Sequence, residues 1–476
     1  MRGRRDVISA ALAAGITLLV AAAPASALEI KRMVLSNGAL LLVSEQHQLP
    51  MVTMAIAFDA GARRDPQGKA GLAALTASSL TLGTRQLSAA QFNQKVDFMG
   101  SSISVNASED YAQAGVTALK KYTDDTLQLL EATLTEPALR DSEIIRKRDE
   151  RVAGIRAEEE QPGYVAHVAM RKMLFDDGPY GHPAEGTVES LAKLTPQDVR
   201  SFYRAHYRMG DAVIAVVGDV NADEIRSKLE KGFAALKGSV PEQAAPPAPR
   251  VAQGIHPTLI NRNVVQATLI LASGGVARSN PDYYRLQVMN YILGGGGFAS
   301  RLMKVVRSRA GLAYGVSSGF DTGKFAGSFT VSTQTKNRSC NDALTLILQQ
   351  LRDIREHPVT DAELSSAKKF LIGSFALKLD RQSAIAGFVL QVELYGLGVG
   401  YVDRYPKLIG AVTKEDVQRV AQKYLHPDAL DLVAVANQGE AAINVANLER
   451  AATGTSASAP DSAPAAENAA APAPGG

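Results

Sequence analysis

Three short stretches of this 476-residue chain return once each, in the same order and at nearly one distance. Gly61-Ala62-Arg63-Arg64-Asp65-Pro66 is echoed 215 residues later by Val276-Ala277-Arg278-Ser279-Asn280-Pro281. Glu136-Pro137 with Glu143 is echoed by His357-Pro358 with Glu363, at offsets of 221 and 220. Thr195-Pro196-Gln197-Asp198-Val199 is echoed by Thr413-Lys414-Glu415-Asp416-Val417, at 218. Ordered repeats at one period mark a tandem duplication, and this period is a domain in length, too long for a solenoid. Two similar units are required, and 46 % hydrophobic residues can supply each with a core. Gly238 to Arg250, GSVPEQAAPPAPR, is rich in Pro and Ala and lacks periodicity, so 238–250 reads as the linker between units at 30–237 and 251–449.

Within the first unit the apolar pattern switches between strand and helix periods. Met33-Val34-Leu35, the turn Ser36-Asn37-Gly38 and Ala39 to Ser44 give a hairpin, and Met51 to Phe58 a third strand. Gly61 to Gln67 is a polar loop, followed by a helix of small and apolar residues over Ala70 to Leu82. Strands over Ser101 to Ala107 and Ala112 to Thr117 precede helices over Asp124 to Leu134, Asp141 to Glu159 and Gly163 to Leu174. The unit closes with a helix over Thr195 to His206 and a buried strand over Ala212 to Gly218, AVIAVVG. This order predicts an α+β fold, each unit an antiparallel-rich sheet with helices on one face. The other sheet face is expected to look into a large polar cavity between the units.

Met1 to Ala27 opens with Arg2, Arg4 and Arg5, continues as an Ala/Leu/Val-rich run and ends in Ala25-Ser26-Ala27. It reads as a signal peptide, 1–27, cut before Leu28, and its apolar run is short and weak for a membrane span. A periplasmic location follows, and Arg4-Arg5 leaves both the Sec and the twin-arginine routes open. Cleavage leaves 48 basic and 47 acidic residues, a net charge of +1, which calls for neither nucleic acid nor an anionic membrane as partner. Cys340 is the only cysteine, so no internal disulfide forms, and it reads as a small residue opening a helix. The tail, 450–476, is almost wholly Ala, Pro, Ser and Gly and is expected to be disordered.

The densest cluster of unusual residues is Tyr291 to Phe320, YILGGGGFASRLMKVVRSRAGLAYGVSSGF. A helix over Asp282 to Leu293 is expected to stop at Gly294, Gly295, Gly296 and Gly297, to restart over Phe298 to Arg309, and to lead past Gly311 into a strand at Ala313-Tyr314-Gly315-Val316. A nucleotide-binding loop is excluded, because no Gly-Lys-Ser/Thr ending follows and the glycines succeed a helix where a dinucleotide fingerprint needs a strand. Ser300-Arg301-Leu302-Met303, Arg307, Gly311-Leu312-Ala313-Tyr314 and Val316 resemble a segment of the pitrilysin and mitochondrial-processing-peptidase family of zinc peptidases, the inverzincins. The resemblance extends over roughly Ile30 to Ala436. It implies two homologous α/β-roll domains forming half of a clamshell, with Arg307 and Tyr314 as the groups that grip the substrate backbone and stabilise an oxyanion. Gly294 to Gly297 and Phe298 are the implied substrate-binding loop.

Active members of that family carry H-x-x-E-H, whose two histidines at i and i+4 share a helix face and whose Glu serves as general base. Here the helix reads Gly71-Leu72-Ala73-Ala74-Leu75-Thr76-Ala77-Ser78-Ser79, which puts Ala74 and Ser78 at the ligand places and Ala77 at the base. The third-ligand place falls on Ala153 or Gly154, with Glu150 and Glu158 about a turn out of register. The seven histidines, His47, His167, His182, His206, His256, His357 and His426, form no close helical pair. No metal is expected in this chain. The resemblance implies a zinc-less subunit that pairs with a homologous subunit bearing H-x-x-E-H, zinc sitting in that partner and peptides as substrate. Its alternative is a catalytically inactive peptide-binding or scaffolding subunit.

Overall fold

The computed structural model describes residues 28–398 and 400–455. The first half contributes β1 (Lys31–Val34), β2 (Leu40–Glu45), β3 (Met51–Phe58), β4 (Ser102–Ala107), β5 (Ala112–Leu119) and β6 (Val213–Gly218). The second contributes β7 (Gly254–Asn261), β8 (Gln266–Gly274), β9 (Ala313–Asp321), β10 (Ser328–Lys336) and β11 (Ala429–Ala436). The sheet orders are β1-β2-β6-β3-β5-β4 and β7-β11-β8-β10-β9. Without β1 the two series correspond strand for strand. In each, the second strand pairs parallel with the first, β6 with β2 and β11 with β7, and the remaining pairs are antiparallel. The α+β, two-sheet plan read from the duplication is the plan of the molecule.

The helices of the first half are α1 (Leu72–Ser79), α2 (Ala89–Phe98), α3 (Thr123–Thr135), α4 (Asp141–Glu158), α5 (Pro162–Phe175), α6 (Val188–Leu191), α7 (Pro196–His206) and α8 (Ala222–Gly232). Those of the second are α9 (Tyr283–Asn290), α10 (Cys340–Glu356), α11 (Asp361–Ala376), α12 (Gln382–Leu394), α13 (Tyr401–Gly410), α14 (Lys414–Tyr424), α15 (Gln438–Ala441) and α16 (Val445–Thr453). The repeated Thr-x-x-Asp sequence has a local cause. Thr195 and Thr413 are the N-caps of α7 and α14, and each side chain accepts from the amide of its Asp three residues on, at 3.2 and 3.1 Å. Asp198 and Asp416 reach back to the Thr amides at 2.9 and 3.2 Å, completing two capping boxes.

Each half has its own core. Ile56, Phe58 and Val216 pack on Leu75, Leu130 and Phe202 in the first, and Leu269, Phe329 and Leu432 on Leu344, Ile347 and Leu348 in the second. The halves then exchange a helix. Ala166, Met170 and Leu174 of α5 pack on Ile270, Ala272, Val433 and Val435 of the second sheet. In return Ile385, Ala386, Val389 and Leu390 of α12 pack on Leu42, Ala55, Ala57, Val213, Ala215 and Val217 of the first. The expectation of an open second face is therefore revised. Every residue of β6 is buried, and a strand apolar on both sides needs cover on both. The seam between the halves is polar in part: Asp110 accepts from the Tyr180 hydroxyl at 2.5 Å and from the Lys324 amide at 2.7 Å.

Three further expectations change. The helix over Asp282 to Leu293 runs two residues further into the glycines than expected: α9 continues as a π-helical turn over Tyr291–Gly295 and ends at Gly296, and after a 3-10 turn over Gly297–Ala299 the chain resumes helix at Arg301, again π-helical over Met303–Arg309. Gly294 tolerates this because it is packed rather than loose, since a Cβ there would lie 2.4 Å from Ser318 Oγ. The helices α2 and α8 were not foreseen. The tail is helical as far as Thr453, because Leu448 and Ala452 of α16 are buried. The signal segment 1–27 and residues 456–476 lie outside the described residues. Cys340 opens α10 and is buried.

Candidate substrate groove and degenerate metal helix

The helix α1 starts at Gly71, whose φ of +89° and close approach to the Glu185 carbonyl leave no room for a Cβ. Its first amides are held by Asp65, which accepts from Gly71 at 2.8 Å and Ala73 at 2.7 Å. Burial pushes the Asp65 pKa up to about 7, against the pull of the Ala73, Gly71 and Leu72 amides. In the sequence Asp65 stands out only as part of an echoed loop. Its counterpart Asn280 accepts from the Asp282 amide at 2.8 Å at the start of α9, so a helix-starting side chain is what that echo preserves.

On α1, Ala74 and Ala77 are buried, and the Ser78 hydroxyl donates back to Ala74 O at 2.9 Å. The helix α4, where a third ligand would stand, does pack against α1. Its Glu150, however, is exposed and paired with Lys147 at 3.0 Å and Arg146 at 3.4 Å. Two methyl groups and a self-satisfied hydroxyl give zinc no imidazole and no general base, so these residues do not fit the metal. Among the described residues no group of three His, Cys, Asp or Glu side chains is placed to hold one.

The second half offers a different surface. Tyr314, 84 % exposed, stands on β9, the outer strand of its sheet. Arg307, on the π-helical turn before it, places its guanidinium 4.8 Å from the Tyr314 ring centroid and 4.6 Å from that of Phe298. Phe298 is 68 % exposed at the end of the glycine run, where Gly297 has a φ of +55°. The two rings hold the guanidinium by cation–π contact, and its N–H groups have no hydrogen-bond partner among the described residues, which leaves them for a ligand. Arg301, six residues earlier, has the opposite fate. It donates to Glu363 at 2.8 and 3.0 Å and to Asp353 at 2.8 Å, which makes it an anchor of the helix.

Gly294, Gly295, Gly297, Met303 and Tyr314 line an open groove of about 670 Å3 with the small residues Ser317 and Thr333. Gly296 and Phe298 adjoin it through the same loop. Asn290 and Ser318, which sequence reasoning did not single out, fasten that loop to β9: the Asn290 amide donates to Ser318 O at 3.1 Å and Ser318 Oγ donates to Asn290 Oδ1 at 2.7 Å. Nothing in a one-dimensional pattern links residues 28 apart. All residues lining the groove come from the second half, whereas Ala74, Ala77 and Ser78 belong to the first.

Comparison with known proteins follows the same division. Residues 41–188 match the profile described as Insulinase (Peptidase family M16), and residues 193–371 that of the Peptidase M16 inactive domain. An uncharacterized zinc protease of Streptomyces coelicolor is 28 % identical over 401 residues, 83 % of this chain and 87 % of that protein. The non-peptidase homolog YmxG of Helicobacter pylori is 25 % identical over 400 residues, 84 % of this chain and 92 % of that one. A crystal structure of a peptidase M16 inactive domain from Pseudomonas fluorescens superposes with a TM-score of 0.81 at 28 % identity, covering 86 % of this chain and 98 % of its own. With both halves matched in order and their fold shared, the chain belongs to the M16 family of peptidases, as a member without the inverted zinc motif.

Proposed function

We propose that this chain is the zinc-less subunit of an exported, periplasmic heterodimeric metallopeptidase, contributing Arg307 and Tyr314 to a homologous partner that carries H-x-x-E-H. The observation that carries this reading is a half-buried, aromatic-held guanidinium beside an exposed tyrosine that lines a glycine-rich groove, in a chain whose motif helix has no metal ligand. Zinc, held by the partner, would activate the attacking water. The residues of this chain bind and orient: Arg307 holds a peptide carbonyl, and Tyr314 donates to the oxygen on which charge develops. A non-enzymatic scaffolding or peptide-binding subunit is the second reading, favoured by the similarity to the non-peptidase homolog YmxG of Helicobacter pylori. Metal analysis and peptide hydrolysis by the purified chain, alone and mixed with an H-x-x-E-H homologue from the same organism, decide between them. The expected result is neither stoichiometric zinc nor turnover alone, and turnover in the mixture above that of the homologue by itself. One zinc per chain with chelator-sensitive activity would refute the proposal, and a mixture no faster than the homologue favours the scaffold.

A further inference from the structure

The face of the first sheet that receives α12 changes character along its strands. Under the helix it is apolar, with Ala55, Ala57, Val213 and Ala215. Beyond the first turn of α12 it turns to hydroxyls. Ser44 and Thr53 both pair with Val217, and Thr53 pairs with Thr117, so the three hydroxyl residues lie in one row across the sheet. Ser44 and Thr53 are only 4 % and 5 % exposed, and neither hydroxyl has a hydrogen-bond partner among the described residues. The row floors an open cleft of about 950 Å3 between the halves. Across it stand Phe375 and Leu379, and the carboxylates of Glu29, Glu45, Asp380 and Asp403, of which Glu45 is paired with Lys31 at 2.9 Å, outnumber the single guanidinium of Arg381. Arg381 is spoken for by Asp380 at 3.5 Å, while Glu29 and Asp403 have no ion-pair partner among the described residues. No residue of this cleft lines the groove at Tyr314.

We propose that the cleft is a second binding site, for a short cationic peptide. The side chains of Ser44, Thr53 and Thr117 face an open cleft with Val217 between the first two, and since a hydroxyl both donates and accepts, hydroxyls with no protein partner there suit the alternating N–H and C=O groups of an extended backbone. Phe375 and Leu379 take an apolar side chain. Glu29 and Asp403 take the positive charge, and their excess disfavours acidic ligands. The cleft is at the upper end of the size range of sites that enclose small ligands, about 300–1,000 Å3. The proposal does not depend on the zinc partner.

Calorimetric titration of the purified chain with Arg-Phe amide, and with Glu-Phe amide for comparison, tests it. Saturable one-site binding of the first is expected, with the second about tenfold weaker or worse. Thr53→Val keeps the side-chain shape and removes the hydroxyl, and should weaken binding about fivefold. Thr117→Val serves the same purpose at a less buried position should the first variant fold poorly. The double variant Glu29→Gln, Asp403→Asn should weaken binding by a similar factor, and Arg307→Ala should leave it unchanged. No saturable binding, equal affinity for both peptides, wild-type affinity in the cleft variants, or loss of binding in Arg307→Ala would each overturn the assignment.

Discussion

Two arginines six residues apart show how little a motif says about a side chain's role. Both are half-buried, but Arg301 is paired with carboxylates, whereas Arg307 lies against rings and has no hydrogen-bond or ion-pair partner among the described residues, which leaves its N–H groups for a ligand. Removing the Arg301 guanidinium leaves Glu363 and Asp353 without it, so Arg301→Met should destabilise the fold by about 1.5–3 kcal/mol in urea unfolding. The pair also sets a pH dependence. Burial alone would raise the Glu363 pKa, but the Arg301 guanidinium and the Thr360 cap bring it down to about 2. A carboxylate held below its ordinary value near 4.5 stabilises the fold above that value and loses the contribution as pH falls toward 2. The urea midpoint of the wild type should therefore drop more steeply over that window than that of Arg301→Met, and parallel profiles would contradict the assignment. The sequence did point to Arg307 and Tyr314, because their spacing and neighbours resemble a known segment. The stacking of Phe298 on Arg307 was not legible, since it depends on the turn that the glycines make.

Among the elements, those with a purely local cause were the ones best read in advance. The strand β3 has the predicted limits, and α4, α7 and α14 begin where their acidic first turns or capping Thr residues say. Thr195→Ala and Thr413→Ala should each cost about 1 kcal/mol in thermal unfolding, alike because the two boxes are copies. The helix ends inside the glycine run as expected, but at Gly296 and not before Gly294, because the first two glycines serve packing: a Cβ on Gly294 meets Ser318 at 2.4 Å, and one on Gly295 meets the Asn290 amide at 2.7 Å. Gly294→Ala should accordingly displace the loop from β9 and reduce peptide turnover in the assembled pair, whereas at Gly311, where no atom lies within 4 Å, the cost is only that of a φ of +66°. Equal effects at both positions, by thermal melting and by turnover, would show that the packing is not what the glycine run provides.

At the scale of the whole molecule, the duplication gave the topology but not the exchange of α5 and α12. A repeat records what each half contains and is silent on which half a helix leans against. The exchange ties the two sheets together, so Leu390→Ala on α12 should destabilise by about 2–5 kcal/mol and speed amide exchange in both sheets, not the first alone. The motif helix is blank on one half, and the Arg307 and Tyr314 pair stands on the other. The most direct test of that division of labour is the turnover number of the reconstituted pair with Tyr314→Phe, measured beside its zinc content and its assembly by size. Phe keeps the ring that stacks on Arg307 and loses only the hydroxyl. The account predicts a fall of about 10²-fold with assembly and zinc unchanged, the scale of removing one oxyanion donor. Wild-type turnover in that variant would contradict it.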